Sequence, residues 1–369
     1  MLRFLTAGES HGPCLTAIIE GLPSGLTLDL DAINHDLARR QSGYGRNYRQ
    51  KIEHDQVEIL SGMVYGRTIG APLTIQIINR DWENWKDRWA SGSLTKLTVP
   101  RPGHADYAGM VKYDLEDARL ILERASARET AARVAVGAVA RQLLKIYNIA
   151  IGSYVSDIGD IHANIPNLPY PELWALAEAS EVRCPDSKAE TEMKRSIDHA
   201  RRTGNSLGGI FIVAATGVPV GLGSHVQWDR RLDARMAAAV ISIQAVKGVE
   251  IGPAFEIARL PGSQAHDAIY PADNNRIYRL TNRAGGIEGG ISNGEPIVIR
   301  AAMKPISTIA EPYNSVDLTT GHPAKPQYQR SDYCAVPSAA VIGEAVVAWT
   351  LACALVEKYG GDSIGEMTR

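Results

Sequence analysis

Two histidines, one aspartate and a series of arginines, set in segments rich in glycine or proline, are the groups in this sequence that could do chemistry. GESHG, residues 8–12, holds His11 between glycines with Ser10 beside it. A lone histidine in such a loop is more often structural or solvated than catalytic, so the pentapeptide alone leaves both readings open. RPGHAD, residues 101–106, presents a second histidine, His104, on a Pro–Gly turn that also carries Arg101 and Asp106. RRQSGYGRNYRQK, residues 39–51, interleaves Arg39, Arg40, Arg46, Arg49 and Lys51 with Gly43 and Gly45. It is either a solvated charged loop or an anion site, because guanidinium groups bind phosphate and carboxylate bidentately and glycines let the backbone approach.

Three further segments add donors. RASARET, residues 124–130, stands at the entry to an expected helix, where small residues and N-terminal amides suit a phosphate. An ordinary capped helix start looks the same. GGIEGGISNG, residues 285–294, admits close backbone approach to a flat ligand, and MKPIST, residues 303–308, offers Lys304, Ser307 and Thr308. RSDYCAVP, residues 330–337, sets Arg330 and Asp332 before an apolar stretch. There is no HExxH metal spacing, no GK dipeptide of a P-loop and no G-x-G-x-x-G after a strand. The constellation suits general acid–base work on a polyanion.

These loops need elements to hold them. Strands are predicted within Gly12–Gly21, as a pair within Val57–Ile78 flanking YGRTIGAP, and at Ala150–Val155 and Gly209–Ala215. Helices are predicted from about Asp31 to Arg40, with Asp29 or Asp31 as cap, and over Ala127–Tyr147, Leu232–Ala245 and Pro337–Tyr359. The pattern reads as α+β, with large sheets covered by helices and too little alternation for a βα barrel. No linker or low-complexity segment divides the chain, so one large domain over residues 1–369 is expected. The apolar run Ala345–Val356 is too short to span a bilayer and reads as a core helix.

The 369 residues are 45% hydrophobic and 22% charged with a net charge of −2, so no global basic field draws nucleic acid or an anionic membrane. Any anion must be held by local clusters. The four cysteines, at 14, 184, 334 and 353, form no CxxC pair and read as reduced thiols of a cytoplasmic protein. Trp82, Trp85 and Trp89 recur at near-helical spacing, which favours packing over a mobile flap or a contact.

In sequence order, GESHG, RPGHAD, RASARET, GGIEGGISNG, KPIST and RSD resemble the signature segments of the chorismate synthase family, and they span residues 8–332. The resemblance implies a one-domain βαβα-layered sandwich assembled as a homotetramer. It also implies an anti-1,4-elimination of phosphate from 5-enolpyruvylshikimate 3-phosphate (EPSP) that gives chorismate and requires reduced FMN without net redox change. On the family pattern, His11 is the acid for the leaving phosphate. His104 supplies a proton to a reduced flavin that is anionic until substrate binds, and Asp332 with Ser10 manages the proton at flavin N5. FMN contacts fall on Arg124, Ala125, Ser126, Gln244, Ala245, Gly289, Lys304, Pro305, Ile306, Ser307, Thr308 and Arg330. Arg40, Arg46, Arg101 and Arg330 grip substrate anions. Arg40 and Arg46 also match positions the family assigns to NADP, which matters only if flavin reduction occurs on the enzyme. With no separate reductase domain in view, an external flavin reductase is expected, and NADPH acts only indirectly. Two rival readings differ in what they predict. A metal-dependent phosphohydrolase using His11, His104 and Asp332 would be chelator-sensitive. A nucleic-acid contact at residues 39–51 would bind with steep salt dependence.

Overall fold

Alternating side chains in Cys14–Glu20 and Leu73–Ile78 bury one face of each strand, which builds a four-stranded antiparallel sheet. Its order is Arg3–Ala7, Cys14–Glu20, Leu73–Ile78, Val57–Ser61. The chain is described from a computed structural model for residues 1–46, 54–273, 276–327, 329 and 331–369, excluding the Arg276 side chain. A second antiparallel sheet orders Val246–Ile251, Ile297–Met303, Gly209–Thr216, Ala150–Ile158 and Ile161–His162.

Helices Leu30–Gln41, Thr130–Lys145 and Val336–Tyr359 fill the space between the sheets. Phe211, Val213 and Ala215 point inward to this core, whereas Tyr154 and Ile212 point outward and are covered by Leu173 and Ala177 of helix Tyr170–Ala179. The result is four layers, β–α–β–α, of the α+β class. Asp29 is the cap of the first helix, its carboxylate accepting from the amides of Asp31 and Ala32. Helix Val336–Tyr359 is apolar on all faces, as a core helix must be. It is long and apolar enough to cross a membrane, but 89% of its most apolar window is buried inside the protein. A Cβ on Gly137 would lie 2.4 Å from Ala345 Cα, so the crossing of helices Thr130–Lys145 and Val336–Tyr359 requires glycine.

One carboxylate is buried at the centre of these layers. Glu344 is fully buried and pairs with Arg39, Arg141 and Arg183, and Ser153 Oγ donates to it at 2.6 Å. Burial opposes its charge, but the three guanidinium groups outweigh that and hold its carboxyl well below the usual range.

Two expectations need correction. The helix expected over Leu232–Ala245 stops at Ile241. Ala245 takes φ +66°, outside the helical region, and the chain enters the unexpected strand Val246–Ile251. The long helix begins at Thr130, because Ala127–Glu129 form a 3₁₀ turn capped by Ser126. In that turn the amide of Arg128 bonds Ser126 Oγ, that of Glu129 the Ser126 carbonyl, and that of Thr130 the carbonyls of Ala127 and Arg128. The amides expected to await a phosphate are therefore engaged.

Candidate active site

GESHG leaves the edge strand through a sharp turn at Gly8, where φ is +108° and a Cβ would lie 2.3 Å from the Cys14 carbonyl oxygen. Asn79 closes that turn, donating from Nδ2 to the carbonyls of Glu9 and Gly12 at 3.0 and 2.8 Å. Arg128 Nε donates to Asn79 Oδ1 at 2.9 Å, and its NH1 donates to both oxygens of Asp55. Asp55 also accepts from Arg40 NH2 at 3.0 Å. Burial, with Arg128 and Arg46 nearby, pushes the Arg40 guanidinium down to about 10, against the pull of Asp55. Burial likewise opposes charge on Asp55, but Arg40 and Arg128 hold its carboxyl below the usual range.

Both histidines lie against carboxylates. His11 Nδ1 is 2.8 Å from Glu123 Oε1, and its backbone N–H donates to Glu123 Oε2 at 2.7 Å. Its ring lies on Trp85, with centroids 4.2 Å apart. His104 Nδ1 bonds Asp106, which also accepts from Arg101 Nε and NH2 at 2.8 and 2.9 Å. Burial raises the cost of charge on Asp106, but His104 and Arg101 hold its carboxyl well below the usual range. Arg101 NH1 donates to Thr308 Oγ1 at 3.0 Å, and Lys304 Nζ to the Gly103 carbonyl at 2.9 Å, so RPGHAD and KPIST are stitched together. Asp332 accepts from Arg46 NH1 at 2.7 Å, and Ser126 Oγ lies 3.2 Å from Ser10 Oγ.

These segments converge on one cavity of about 890 Å³. Of the expected catalytic and anion-binding residues, Ser10, His11, His104, Asp332, Arg40, Arg46 and Arg101 line it. Of the expected flavin contacts, Ala125, Ser126, Gln244, Ala245, Lys304, Ile306, Ser307 and Thr308 line it as well. Three are not brought there. Arg124 turns to the edge strand, donating to Thr6 and Gly8, and lines a smaller pocket of about 350 Å³ to which Gln244 also belongs. Gly289 sits exposed at the tip of the hairpin Ile287–Ser292, and Pro305 is exposed beside the lining. Arg330 and residues 47–53 of the arginine-rich loop lie outside the described residues.

Sequence reasoning missed Asp55, Arg119, Glu123, Arg128 and Trp85. Arg119 lines the cavity, with its guanidinium 5.9 Å from the Trp85 ring and a buried Nε that has no partner among the described residues. Trp85 lines the cavity too, so the tryptophan segment forms a wall of the site in addition to packing. Among the described residues no three His, Cys, Asp or Glu side chains gather as a metal-binding group.

The cavity suits a flavin together with an anionic substrate. The buried Nε groups of Arg40 and Arg46 have no acceptor, and the Gln244 amide oxygen has no donor, among the described residues. Oxyanions would satisfy the first pair, and a ring N–H such as that of a flavin's pyrimidine would satisfy the amide.

The family model for chorismate synthase matches residues 2–356. The chain is 58% identical to a chorismate synthase of Desulforamulus reducens, covering all of this chain and 96% of that protein. It is 56% identical to one from Geobacter sulfurreducens, covering all of this chain and 97% of that protein. A crystal structure of chorismate synthase superposes with a TM-score of 0.81 at 46% identity, covering all of this chain and 95% of the other. The chain belongs to the chorismate synthase family.

Proposed function

We propose that the 890 Å³ cavity is where this chain carries out its family's reaction. That reaction is the lyase step removing phosphate from EPSP to give chorismate, at the end of the shikimate pathway. The observation that supports this placement is the convergence of His11, His104, Asp332 and three arginines with the flavin-facing segments. EPSP carries a phosphate and two carboxylates, and Arg40, Arg46 and Arg101 offer planar donors to them. His11 delivers a proton to the departing phosphate oxygen. His104 holds a proton on the flavin side, and Asp332 with Ser10 holds the one at flavin N5. The family requires a reduced flavin, which when bound supplies the electron density that helps phosphate leave. Ala125, Ser126, Gln244, Ala245 and Lys304 to Thr308 would hold it as FMN, with Arg330 from beyond the described residues.

We further read the whole chain as one domain, since a single hydrophobic core runs from Leu2 to Met367 across both sheets. A homotetramer is supported by the uncovered outer face of the first sheet, where Leu5, Ile18 and Ile78 are exposed. A separate reductase, drawing on NADPH, keeps the flavin reduced. Four unpaired thiols fit a cytoplasmic setting.

Purified protein mixed with EPSP is expected to form chorismate with photoreduced FMN under anaerobic conditions and none with oxidised FMN in air. The absorbance of chorismate reads the result, and equal rates in both conditions would refute the flavin requirement. Arg46→Ala is expected to raise the KM for EPSP about 10- to 100-fold, from the loss of roughly 1.5–3 kcal/mol in charged hydrogen bonds. Lysine at this position restores the charge but not the fork, so rescue should be partial. An unchanged KM in steady-state kinetics would leave Arg46 as the ion-pair partner of Asp332 and not a substrate contact.

A further inference from the structure

His11 is gripped from two sides by residues outside the family's signature segments. We infer that Glu123 is the positioning residue of His11, fixing its ring so that Nε2 carries the proton given to the leaving phosphate. The inference rests on the assignment of His11 as that acid.

Glu123 lies in helix Ala118–Ala125 and is only 3% exposed. Burying a carboxylate costs free energy unless hydrogen-bond donors compensate it. Here the donors come from His11, whose backbone N–H reaches Oε2 at 2.7 Å and whose Nδ1 stands 2.8 Å from Oε1. The Glu123 carbonyl accepts the N–H of Ser10 at 2.9 Å, so one residue holds the consecutive amides of Ser10 and His11.

A carboxylate has only acceptors, so Nδ1 must carry a hydrogen in this contact. Proton exchange with a ligand then falls to Nε2. Trp85 lies against the ring at 4.2 Å with an interplanar angle of 36°, and Asp81 in turn holds the Trp85 indole N–H at 3.2 Å. The ring is thus restrained in plane by Glu123 and across its face by Trp85. Asp106 plays a less separable part at His104, because it also binds Arg101. Glu123 is the cleaner probe.

Glu123→Gln keeps the shape but offers one acceptor where two donors need one. Its NH₂ makes Nδ1 an acceptor and moves the ring proton to Nε2 in the neutral imidazole. With EPSP and reduced FMN, kcat is expected to fall about 100-fold, within the range of general acid catalysis. The KM for EPSP should stay within about threefold. The double variant His11→Ala/Glu123→Gln should be no slower than His11→Ala, because the two residues act as a unit. Nitrogen-15 NMR of histidine-labelled protein, with His11 identified by its loss in His11→Ala, should place the neutral ring's proton on Nδ1 in the wild type. In Glu123→Gln it should move to Nε2.

An undiminished kcat in Glu123→Gln, or multiplicative losses in the double variant, would overturn the assignment. A neutral wild-type ring with its hydrogen on Nε2 in place of Nδ1 would do the same, and that measurement stands even if the variant does not fold. If His11→Ala keeps full activity, the acid assignment fails and this inference with it. The ring spectrum would then still report whether Glu123 orients His11, which separates the two failures.

Discussion

His11→Ala and His104→Ala should each lose about 10²–10⁴-fold in turnover without unfolding, and they should fail at different steps. Both rings line the cavity but face different partners: His11 lies on Trp85 and Glu123, His104 between Arg101 and Asp106. If His104 is the proton source on the flavin side, its removal should blunt the spectral change of reduced FMN when EPSP is mixed in anaerobically. His11→Ala should keep that change and stall before phosphate is released. Stopped-flow spectra paired with a phosphate assay distinguish the two. Identical spectra from both variants, or reversed roles, would refute this division of labour while leaving the overall reaction standing.

Glu344→Gln should be the most destabilising of single conservative changes in the core. It keeps the volume but leaves Arg39, Arg141 and Arg183 without their shared anion. Removing one member of a buried ion pair costs about 3–5 kcal/mol, and the loss here is expected towards the lower end because Asp36 and Glu178 still face the three guanidinium groups. The pH dependence follows from the depressed folded-state value of Glu344. A carboxyl held low in the folded state contributes stability that is fully present above its unfolded value of about 4.3. That contribution is lost as pH falls through the folded-state value, well below. The gap between wild type and Glu344→Gln in urea midpoint should therefore be full at neutral pH and shrink only in acid. Coincident midpoints at neutral pH would show that Asp36 and Glu178 suffice to compensate the three arginines.

The loops that carry the chemistry were legible because glycine, proline, histidine and arginine stand out in a single sequence, and their order carried the family resemblance. The helix at Asp29 was legible for a local reason, since a cap bonds the amides two and three residues on. What escaped was set by distance along the chain. Glu123, within LILERA, carries no signal in the sequence, and only the fold brings it to His11, 112 residues earlier. Asp55 is likewise unremarkable until Arg40 and Arg128 close on it from two different helical segments. The near-helical spacing of Trp82, Trp85 and Trp89 reports burial, not what lies above the ring of Trp85. Arg124 and Gly289 lie off the lining of the large cavity, Arg124 beside Gln244 in the smaller pocket and Gly289 at a hairpin tip, positions that the motif match does not reveal.

The position of helix Val336–Tyr359 bears on how the protein is made. It packs against helix Thr130–Lys145 and against strands Ala150–Ile158 and Gly209–Thr216, all of which leave the ribosome more than a hundred residues earlier. Until it arrives, the inner face of the second sheet and one side of the long helix have nothing to cover them. Contacts of such long sequence separation are slow to form, and uncovered apolar faces invite association with other nascent chains. The core can close only once residue 359 has been made and has left the ribosome, so a ribosome stalled before that point would display a sticky, half-built sandwich.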